Sequence, residues 1–208
     1  MLQFFFAPGT CSLATHIVLE ELGLPYEGVR LDLAGQAQRQ PGYLAINPKG
    51  RVPALVTPQG VLTETPALLV YLAQLQPEAR LAPLDDAYAF ARLQSFNSYL
   101  CSTVHVAHAH RRRGARWADD PAAIEAMQRK VPQTMAECFD LIERELLAGP
   151  WVLGAHYTVA DPYLFTLARW LEGDGVDVAR FPQVQAHLRR MAKRPAVQRA
   201  LAAEQATA

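Results

Sequence analysis

Signals of β-strands are confined to the N-terminal part of this chain, and that asymmetry constrains its fold more than any other feature. Apolar or alternating runs typical of strands occur at four places: residues 2–6, 29–33, 52–56 and 61–62. Beyond Pro83 only helical periodicity remains. The sequence therefore predicts a small α/β domain at residues 1–78 and an all-helical domain at residues 85–208, joined by a proline-containing linker at residues 76–83.

Two helices are predicted among the N-terminal strands. The first covers residues 12–22, where apolar side chains share one face, and it ends at Gly23 in the usual C-terminal manner. The second covers residues 64–75, with Pro66 in its first turn, where a missing N–H costs nothing. Residues 58–60, Pro-Gln-Gly, predict a hairpin turn between the last two strands.

The C-terminal part contains five predicted helices. They cover residues 85–110, 121–147, 158–171, 182–193 and 196–204. The third begins with Thr158-Val-Ala-Asp161, which fits a capping box with Asp in the place of Glu. We therefore expect the Asp161 carboxylate to accept hydrogen bonds at the helix start and to have a structural role.

The composition excludes several classes of protein. Twenty Lys and Arg balance twenty Asp and Glu, whereas a general nucleic-acid binder normally has a basic excess. Half of the residues are hydrophobic and 19% are charged, below the usual figure of about 25%. This balance argues against disorder and favours an oligomer that hides some surface.

The N-terminus and the cysteines indicate the cellular compartment in which the protein is expected. The start MLQFFFAPG has no basic segment and predicts a strand rather than a signal peptide. No apolar run reaches the roughly 18 residues of a membrane span. Cys11, Cys101 and Cys138 are widely spaced, which is typical of reduced thiols. We therefore expect a soluble cytoplasmic protein that does not bind membranes.

Cys11 is the first candidate for chemistry, because it lies in Pro8-Gly9-Thr10-Cys11-Ser12 between a strand and a helix start. Unpaired N–H groups and a partial positive charge at a helix N-terminus favour a thiolate. The same position would serve the thiol of a bound ligand equally well. The alternative is a small buried cysteine that fills space beside a turn.

Two further segments have both a structural and a functional interpretation. A cis bond between Val52 and Pro53 would present the Val52 N–H and C=O to an extended, peptide-like ligand, although a trans proline at a strand edge is far more common. Glu64 and Thr65 begin a helix, so they could simply cap it. Alternatively, the carboxylate could pair with a ligand ammonium while helix N–H groups hold the ligand carboxylate.

The segment from residue 105 to 117 is rich in histidine and arginine. His105 and His108 share a helix face, but no acid or cysteine follows at a useful spacing, so no metal site is predicted. His105 could face a cleft or simply pack within its helix. The segment also contains four cations, Arg111, Arg112, Arg113 and Arg116. We interpret them as a solvated helix end, because cations suit a helix C-terminus. The alternative is a patch that attracts an anionic ligand.

Together these segments resemble the cytosolic glutathione transferases, and most closely the bacterial beta class. The resemblance covers essentially the whole chain and rests on FFFAPGTCSLATHIVLEELG, NPKGRVPAL, LTETPALLVYLA and GAHYTVADPYLFTLARW. It implies a thioredoxin-like N-terminal domain, an all-α C-terminal domain and a homodimer. It also implies glutathione as co-substrate, no other cofactor, and a small hydrophobic electrophile as the second substrate.

The resemblance also implies roles for particular residues. Catalytic roles fall to Cys11 and Ser12, beside the glutathione sulfur, and to His105, which would face the same cleft. Val52, before a cis Pro53, would hold the cysteinyl part of glutathione through its backbone, and residues 64–65 would hold the γ-glutamyl end. The implied glutathione-binding set is Thr10, Val52, Pro53, Glu64 and Thr65.

The sequence departs from the family pattern at several positions. The usual Glu-Ser pair is Glu-Thr at residues 64–65, which keeps the hydroxyl. The basic residue common in the loop after the second strand is replaced at residues 35–36, and Arg39 is a possible substitute. Val106 stands where a lysine often follows the cleft histidine. The stretch HVAHAHRRRGARW matches no family motif, so it does not identify the electrophile.

Three functions are compatible with these residues. In the first, Ser12 or Cys11 stabilises the glutathione sulfur, which attacks an electrophile held near His105 and Tyr99. In the second, Cys11 forms a mixed disulfide with glutathione, which gives thiol–disulfide exchange. In the third, the chain binds glutathione without catalysis, because a fold alone does not determine chemistry.

Overall fold

The strands occupy only the N-terminal part of the chain in the computed structural model, which describes residues 1–205. They are β1 (Leu2–Phe6), β2 (Tyr26–Arg30), β3 (Ala54–Thr57) and β4 (Gly60–Thr63). The sheet has the order β2-β1-β3-β4. β1 and β2 are parallel, whereas β3 is antiparallel to both β1 and β4. The predicted thioredoxin-like α/β domain is confirmed.

β2 lies three residues earlier than the predicted strand at residues 29–33. Its parallel partner β1 ends at Phe6, which is opposite Arg30, and the final link is the Leu31 N–H to the Phe6 carbonyl at 2.8 Å. The Asp32 carboxylate then accepts the Ala34 N–H at 3.0 Å in a turn. The alternating pattern at residues 29–33 was therefore misleading, because the length of the partner strand decides where pairing stops.

Three helices accompany the sheet: α1 (Ser12–Leu22), α2 (Pro41–Leu44) and α3 (Thr65–Leu75). α1 has the predicted bounds and ends at Gly23, which has a left-handed φ of 61° and donates its N–H to the Leu19 carbonyl. Every residue of α1 from Ser12 to Leu19 is buried. This helix is therefore enclosed by other elements on all sides.

The two faces of α1 contact different parts of the chain. Ala14 and Val18 belong to the main apolar core together with Phe4 of the sheet. Leu13 and Ile17 belong to a second cluster, which the helical domain completes with Phe165, Met191, Val197 and Ala200. Both domains thus bury their apolar surface against the same helix.

The remaining elements are helices, as predicted. They are α4 (Ala87–Tyr99), α5 (His105–Arg113), α6 (Pro121–Leu141), α7 (Ala160–Ala168), α8 (Pro182–Ala192) and α9 (Pro195–Gln205). The predicted helix at residues 85–110 is α4 and α5 joined by a π-helical turn at Leu100–Val104. The predicted helix at residues 121–147 likewise ends in a π-helical turn, at Ile142–Leu146. Residues 206–208 of the predicted C-terminal domain lie outside the described residues.

Asp161 has the structural role expected of it, and it has more partners than a capping box requires. Its carboxylate accepts the Thr158 N–H at 2.7 Å, as predicted for the helix start. It also accepts the Val152 N–H at 2.8 Å and the His187 Nε2–H at 3.0 Å. Because Asp161 and His187 are both fully buried, this carboxylate joins the start of α7 to α8 and to the preceding loop.

Within residues 1–205, no helix is both long enough and apolar enough to cross a lipid bilayer.

Candidate functional site

A cleft of about 230 Å³ lies between the sheet domain and the helical domain. The β1–α1 turn, the segment before β3 and the start of α3 form one wall, while α5 and α7 contribute to the other. Of the eight residues to which the resemblance assigns a catalytic or glutathione-binding role, seven line this cleft: Thr10, Cys11, Val52, Pro53, Glu64, Thr65 and His105.

Ser12 is the exception, and the expectation that it faces the glutathione sulfur is wrong in this structure. Its side chain is fully buried and lies outside the cleft lining. The Ser12 hydroxyl lies 3.1 Å from the Ala7 carbonyl, 3.2 Å from the Ala7 N–H and 2.7 Å from the Thr10 hydroxyl. Ser12 therefore stabilises the turn between β1 and α1 instead of contacting a ligand.

The Cys11 thiol lines the cleft, but its surroundings do not favour a thiolate. Its Sγ donates a hydrogen bond to the Val52 carbonyl at 3.5 Å. Burial raises the pKa of Cys11 to about 11, and the hydrogen bond from Thr65 only partly opposes this effect. The expected activation by the helix N-terminus is thus outweighed by desolvation, and Cys11 is a protonated thiol at neutral pH.

The bond between Val52 and Pro53 is cis, as the resemblance implies. Across residues 1–205, the Val52 N–H has no hydrogen-bond partner, and its carbonyl accepts only the Cys11 thiol. The Tyr43 hydroxyl and the Asn47 side-chain amide both donate to the Arg51 carbonyl, at 2.6 and 2.7 Å. These two bonds fix the backbone immediately before Val52, whose N–H remains available to an extended ligand.

Glu64 and Thr65 lie where β4 passes into α3. Glu64 has a left-handed φ of 75°, which is strained for a residue with a side chain. Its carboxylate lies 2.6 Å from the Lys49 ammonium and is about half exposed. The neighbouring Thr65 is buried and hydrogen-bonds Cys11. A lysine that shields Glu64 was not foreseen from the sequence.

His105 faces the cleft in the structure, one of the two alternatives open at the sequence level. Its ring meets the Trp170 ring edge to face, with 5.1 Å between centroids. Burial, together with the positive charges of His108, Arg113 and other cations, lowers the pKa of His105 to about 4. This histidine is therefore neutral at pH 7.

Trp170 connects the helical domain to the β1–α1 turn, a contact without any sequence signal. Its ring stacks on His108 with 4.1 Å between centroids, and its Nε1–H donates to the Gly9 carbonyl at 3.2 Å. His108 in turn lies 2.7 Å from the fully buried Asp174 carboxylate. His108 is thus part of a packed network, and the described residues contain no group of three or more side chains suited to a metal.

The cations of the cleft correct two sequence interpretations. Arg113 and Arg116 line the cleft, so the interpretation of a purely solvated helix end is wrong for them. Arg39, suggested as a substitute for the missing loop cation, packs against Gly50 and is absent from the cleft lining. Arg51, which was not singled out, lines the cleft next to Val52.

The second wall also differs from the expected one. Tyr99, expected near the electrophile, donates its hydroxyl to the Cys138 carbonyl at 3.4 Å and does not line the cleft. Cys101, Tyr163 and Trp117 line it instead. Cys101 comes from the π-helical turn before α5, a local geometry that helical periodicity does not reveal.

The structure joins a four-stranded thioredoxin-like sheet to a helical bundle, and the cleft between them lies over a cis proline. This combination defines the class of glutathione-binding transferases. Two family models match the chain: the N-terminal domain of glutathione S-transferase at residues 2–74 and its C-terminal domain at residues 111–190. The chain belongs to the glutathione S-transferase family, and the transferase activity class expected from the sequence is supported by its relatives.

Individual relatives agree with this assignment. The chain is 33% identical to the glutathione S-transferase GstA of Escherichia coli over 98% of both chains. It is 48% identical to a glutathione transferase homologue from Sulfitobacter solved with bound glutathione, with a TM-score of 0.96 and 99% of each chain covered. A beta-class enzyme from Sphingomonas chungbukensis is 35% identical over 98% of each chain, with a TM-score of 0.85.

Proposed function

We propose that this protein binds glutathione along Val52 and transfers its sulfur to an electrophilic carbon. The observation that carries the proposal is the Val52 N–H, which has no partner among the described residues and lies in the same cleft as the Cys11 thiol and the start of α3. An extended tripeptide can pair its cysteinyl backbone with Val52, which brings its sulfur toward Cys11. Glutathione is then the co-substrate, and no further cofactor is needed.

The two ends of glutathione have separate partners in this proposal. Glu64 binds the γ-glutamyl ammonium and displaces Lys49 from its carboxylate, while Thr65 at the start of α3 donates to the γ-glutamyl carboxylate. The glycyl carboxylate pairs with Arg51, which directly precedes Val52 in the chain and lines the cleft. Arg51 thereby replaces the loop cation that is missing at residues 35–36.

Cys11 acts as a hydrogen-bond donor to the glutathione sulfur. A buried thiol whose pKa is raised to about 11 is a poor nucleophile but keeps its proton. That proton is donated to the Val52 carbonyl in this structure, and it turns to the glutathione sulfur once the ligand backbone pairs with Val52. The glutathione thiol releases its proton to water, because the neutral His105, with a pKa of about 4, is a weak base. The sulfur then forms a bond to carbon, and the leaving group departs with its electron pair.

The electrophile occupies the wall made by the helical domain. Trp117, Tyr163 and Trp170 line this part of the cleft, and aromatic side chains suit a small hydrophobic or aromatic substrate. Most of the rate enhancement comes from positioning the two reactants, since a change in ionised fraction alone supplies at most about 30-fold for a thiol of ordinary pKa.

Cys11 also provides the test, because it separates conjugation from the mixed-disulfide function. We expect Cys11→Ala to lower conjugation of glutathione to an aryl halide by about tenfold, the effect of one lost hydrogen bond to a charged sulfur. Wild-type protein treated with oxidised glutathione should gain no glutathionyl mass at Cys11. Cys138→Ala is the matched control, since Cys138 does not line the cleft.

Two outcomes would contradict this assignment. A glutathionyl adduct on Cys11 that reductant removes, with exchange activity lost in Cys11→Ala, would favour a thiol–disulfide reductase. Binding of glutathione in calorimetry without turnover of any electrophile would favour a non-catalytic binding protein.

The assembly and the compartment belong to the same proposal. We propose a homodimer, because Tyr88 is 77% exposed and Leu84 is 38% exposed near the start of α4, where a second copy could cover them. We propose a cytoplasmic location, because Cys11, Cys101 and Cys138 are all free thiols and reducing compartments keep thiols in that state. Light scattering of the purified protein tests the first proposal.

A further inference from the structure

The cleft contains more positive charge than the proposed glutathione site requires. Arg51, Arg113 and Arg116 line it, whereas Glu64 is the only acidic side chain that residues 1–205 contribute to the lining, and it already lies 2.6 Å from Lys49. Within the described part of the chain, the guanidinium groups of these three arginines make no ion pair. Three uncompensated cations therefore face one cavity.

This arrangement differs from that of the neighbouring arginine on the same helix. Arg111 lies 3.4 Å from the buried Asp174 carboxylate, whereas Arg113, two residues later in α5, faces the cleft without an acid. Like charges held together are unfavourable unless an anion offsets them. In agreement, burial and the charges of Arg113, Arg51 and Arg39 lower the pKa of Arg116 to about 10.

Glutathione neutralises only part of this charge. With its thiol protonated it carries two carboxylates and one ammonium, so its net charge is −1. Its γ-glutamyl ammonium and carboxylate are matched by Glu64 and Thr65, and its glycyl carboxylate by Arg51. Arg113 and Arg116 then remain without an anionic partner after glutathione has bound.

The aromatic residue beside these arginines indicates what else the missing ligand contains. Trp117 lines the cleft and is 46% exposed, and its ring is held edge to face against His110, with 4.6 Å between centroids. An exposed indole next to two unpaired guanidinium groups suits a flat apolar body with an acidic substituent.

We propose that the electrophile carries an anionic group, such as a carboxylate, sulfonate or phosphate, which Arg113 and Arg116 bind while its apolar body packs on Trp117. This inference rests on the proposed function, because it assumes that glutathione occupies the Val52 side of the cleft. The expected second substrate is then an amphiphilic, acidic molecule instead of a purely hydrophobic one.

Binding of two product-like conjugates tests the inference without any need for turnover. S-(4-carboxybenzyl)glutathione and S-benzylglutathione share the tripeptide and differ by one carboxylate. By calorimetry, the wild-type protein should bind the carboxylated conjugate about tenfold more tightly, the combined effect of two partly exposed ion pairs. Arg113→Gln and Arg116→Gln should each reduce this preference by about threefold, and added salt should reduce it further.

Arg112→Gln is the matched control, because Arg112 lies on the same helix and is exposed outside the cleft lining. An unchanged preference in this variant supports a specific anion site. An equal loss in Arg112→Gln and Arg113→Gln would overturn the inference in favour of general surface attraction.

The remaining outcomes separate the inference from the proposed function. Equal affinity of the wild-type protein for both conjugates, with glutathione itself bound, would overturn the anionic substrate and leave the glutathione site intact. Failure to bind glutathione and both conjugates would overturn the proposed function and the inference with it.

Discussion

Asp161→Ala should destabilise the protein far more than the loss of an ordinary helix cap. The substitution removes a fully buried carboxylate that accepts the N–H groups of Val152 and Thr158 and the Nε2–H of His187. An alanine leaves all three donors in a protein interior without an acceptor. The loss therefore combines several unsatisfied groups, whereas a surface cap leaves its donors free to bind water.

The magnitude follows from these bonds. Each buried donor left unsatisfied costs about 1–3 kcal/mol, and three buried donors lose their acceptor here. We expect Asp161→Ala to lower the free energy of unfolding by about 4 kcal/mol, compared with about 1 kcal/mol for a cap alone. Asp161→Asn should lower the free energy of unfolding by nearly as much, because the NH₂ of its amide would point at one of the N–H groups that the carboxylate satisfies.

Urea denaturation followed by tryptophan fluorescence, at one fixed protein concentration, measures this difference. Asp86→Ala is the control: Asp86 caps α4 by accepting the Tyr88 and Ala89 N–H groups at 3.0 Å, but it is exposed. The reasoning is refuted if Asp161→Ala costs no more than Asp86→Ala. Glutathione affinity of the folded fraction should be unchanged, because Asp161 does not line the cleft.

Two further predictions concern the cleft. Glu64→Gln should weaken glutathione binding by about 2 kcal/mol, the value of a charge-assisted hydrogen bond to the ligand ammonium. Lys49→Met should instead tighten binding, because it frees the Glu64 carboxylate. If calorimetry gives the same glutathione affinity for both variants and the wild type, the γ-glutamyl end binds elsewhere. The pKa of His105 is lowered from 6.5 to about 4 in the folded state, so its stabilising contribution is complete above pH 6.5 and is lost as the pH falls from 6.5 toward 4. Over that window the wild type should lose about 3 kcal/mol more stability than His105→Gln, and parallel pH profiles of the two proteins would contradict the burial of a neutral imidazole.

The sequence predicted those features that depend on local pattern. α1 was predicted with its observed bounds, because helical periodicity and the stop at Gly23 are both encoded within a few residues. The prediction that residues around Val52 and Glu64 line one cleft came from the family resemblance. Such a resemblance carries information about which distant residues lie close together, and periodicity does not. The predicted position of β2 was wrong by three residues, because β2 can pair only as far as β1 extends.

Other features depend on contacts between distant segments and have no local signature. The Ser12 hydroxyl is adjacent to Cys11 in sequence but turns toward Ala7, since the turn needs an internal partner. The Arg113 guanidinium belongs to a cationic run that looks like a solvated helix end, and only tertiary packing brings it to the cleft. The raised pKa of Cys11 likewise reflects burial, which overcomes the helix-start effect that the sequence suggests.

The enclosure of α1 determines which parts of this protein can be exchanged. A fragment ending at residue 78 would present Leu13 and Ile17 to water, so it would self-associate rather than fold as an independent unit. Hybrids made by swapping the whole helical domain would need a matched α7 and α9 to close that face. The segment from α5 to Trp117 lines the cleft while packing mainly on α6. Apart from His108 and Arg111, which contact the buried Asp174, its residues can vary without disturbing α1. New acceptor specificities are therefore most accessible through this short segment, for natural variation and for protein engineering alike.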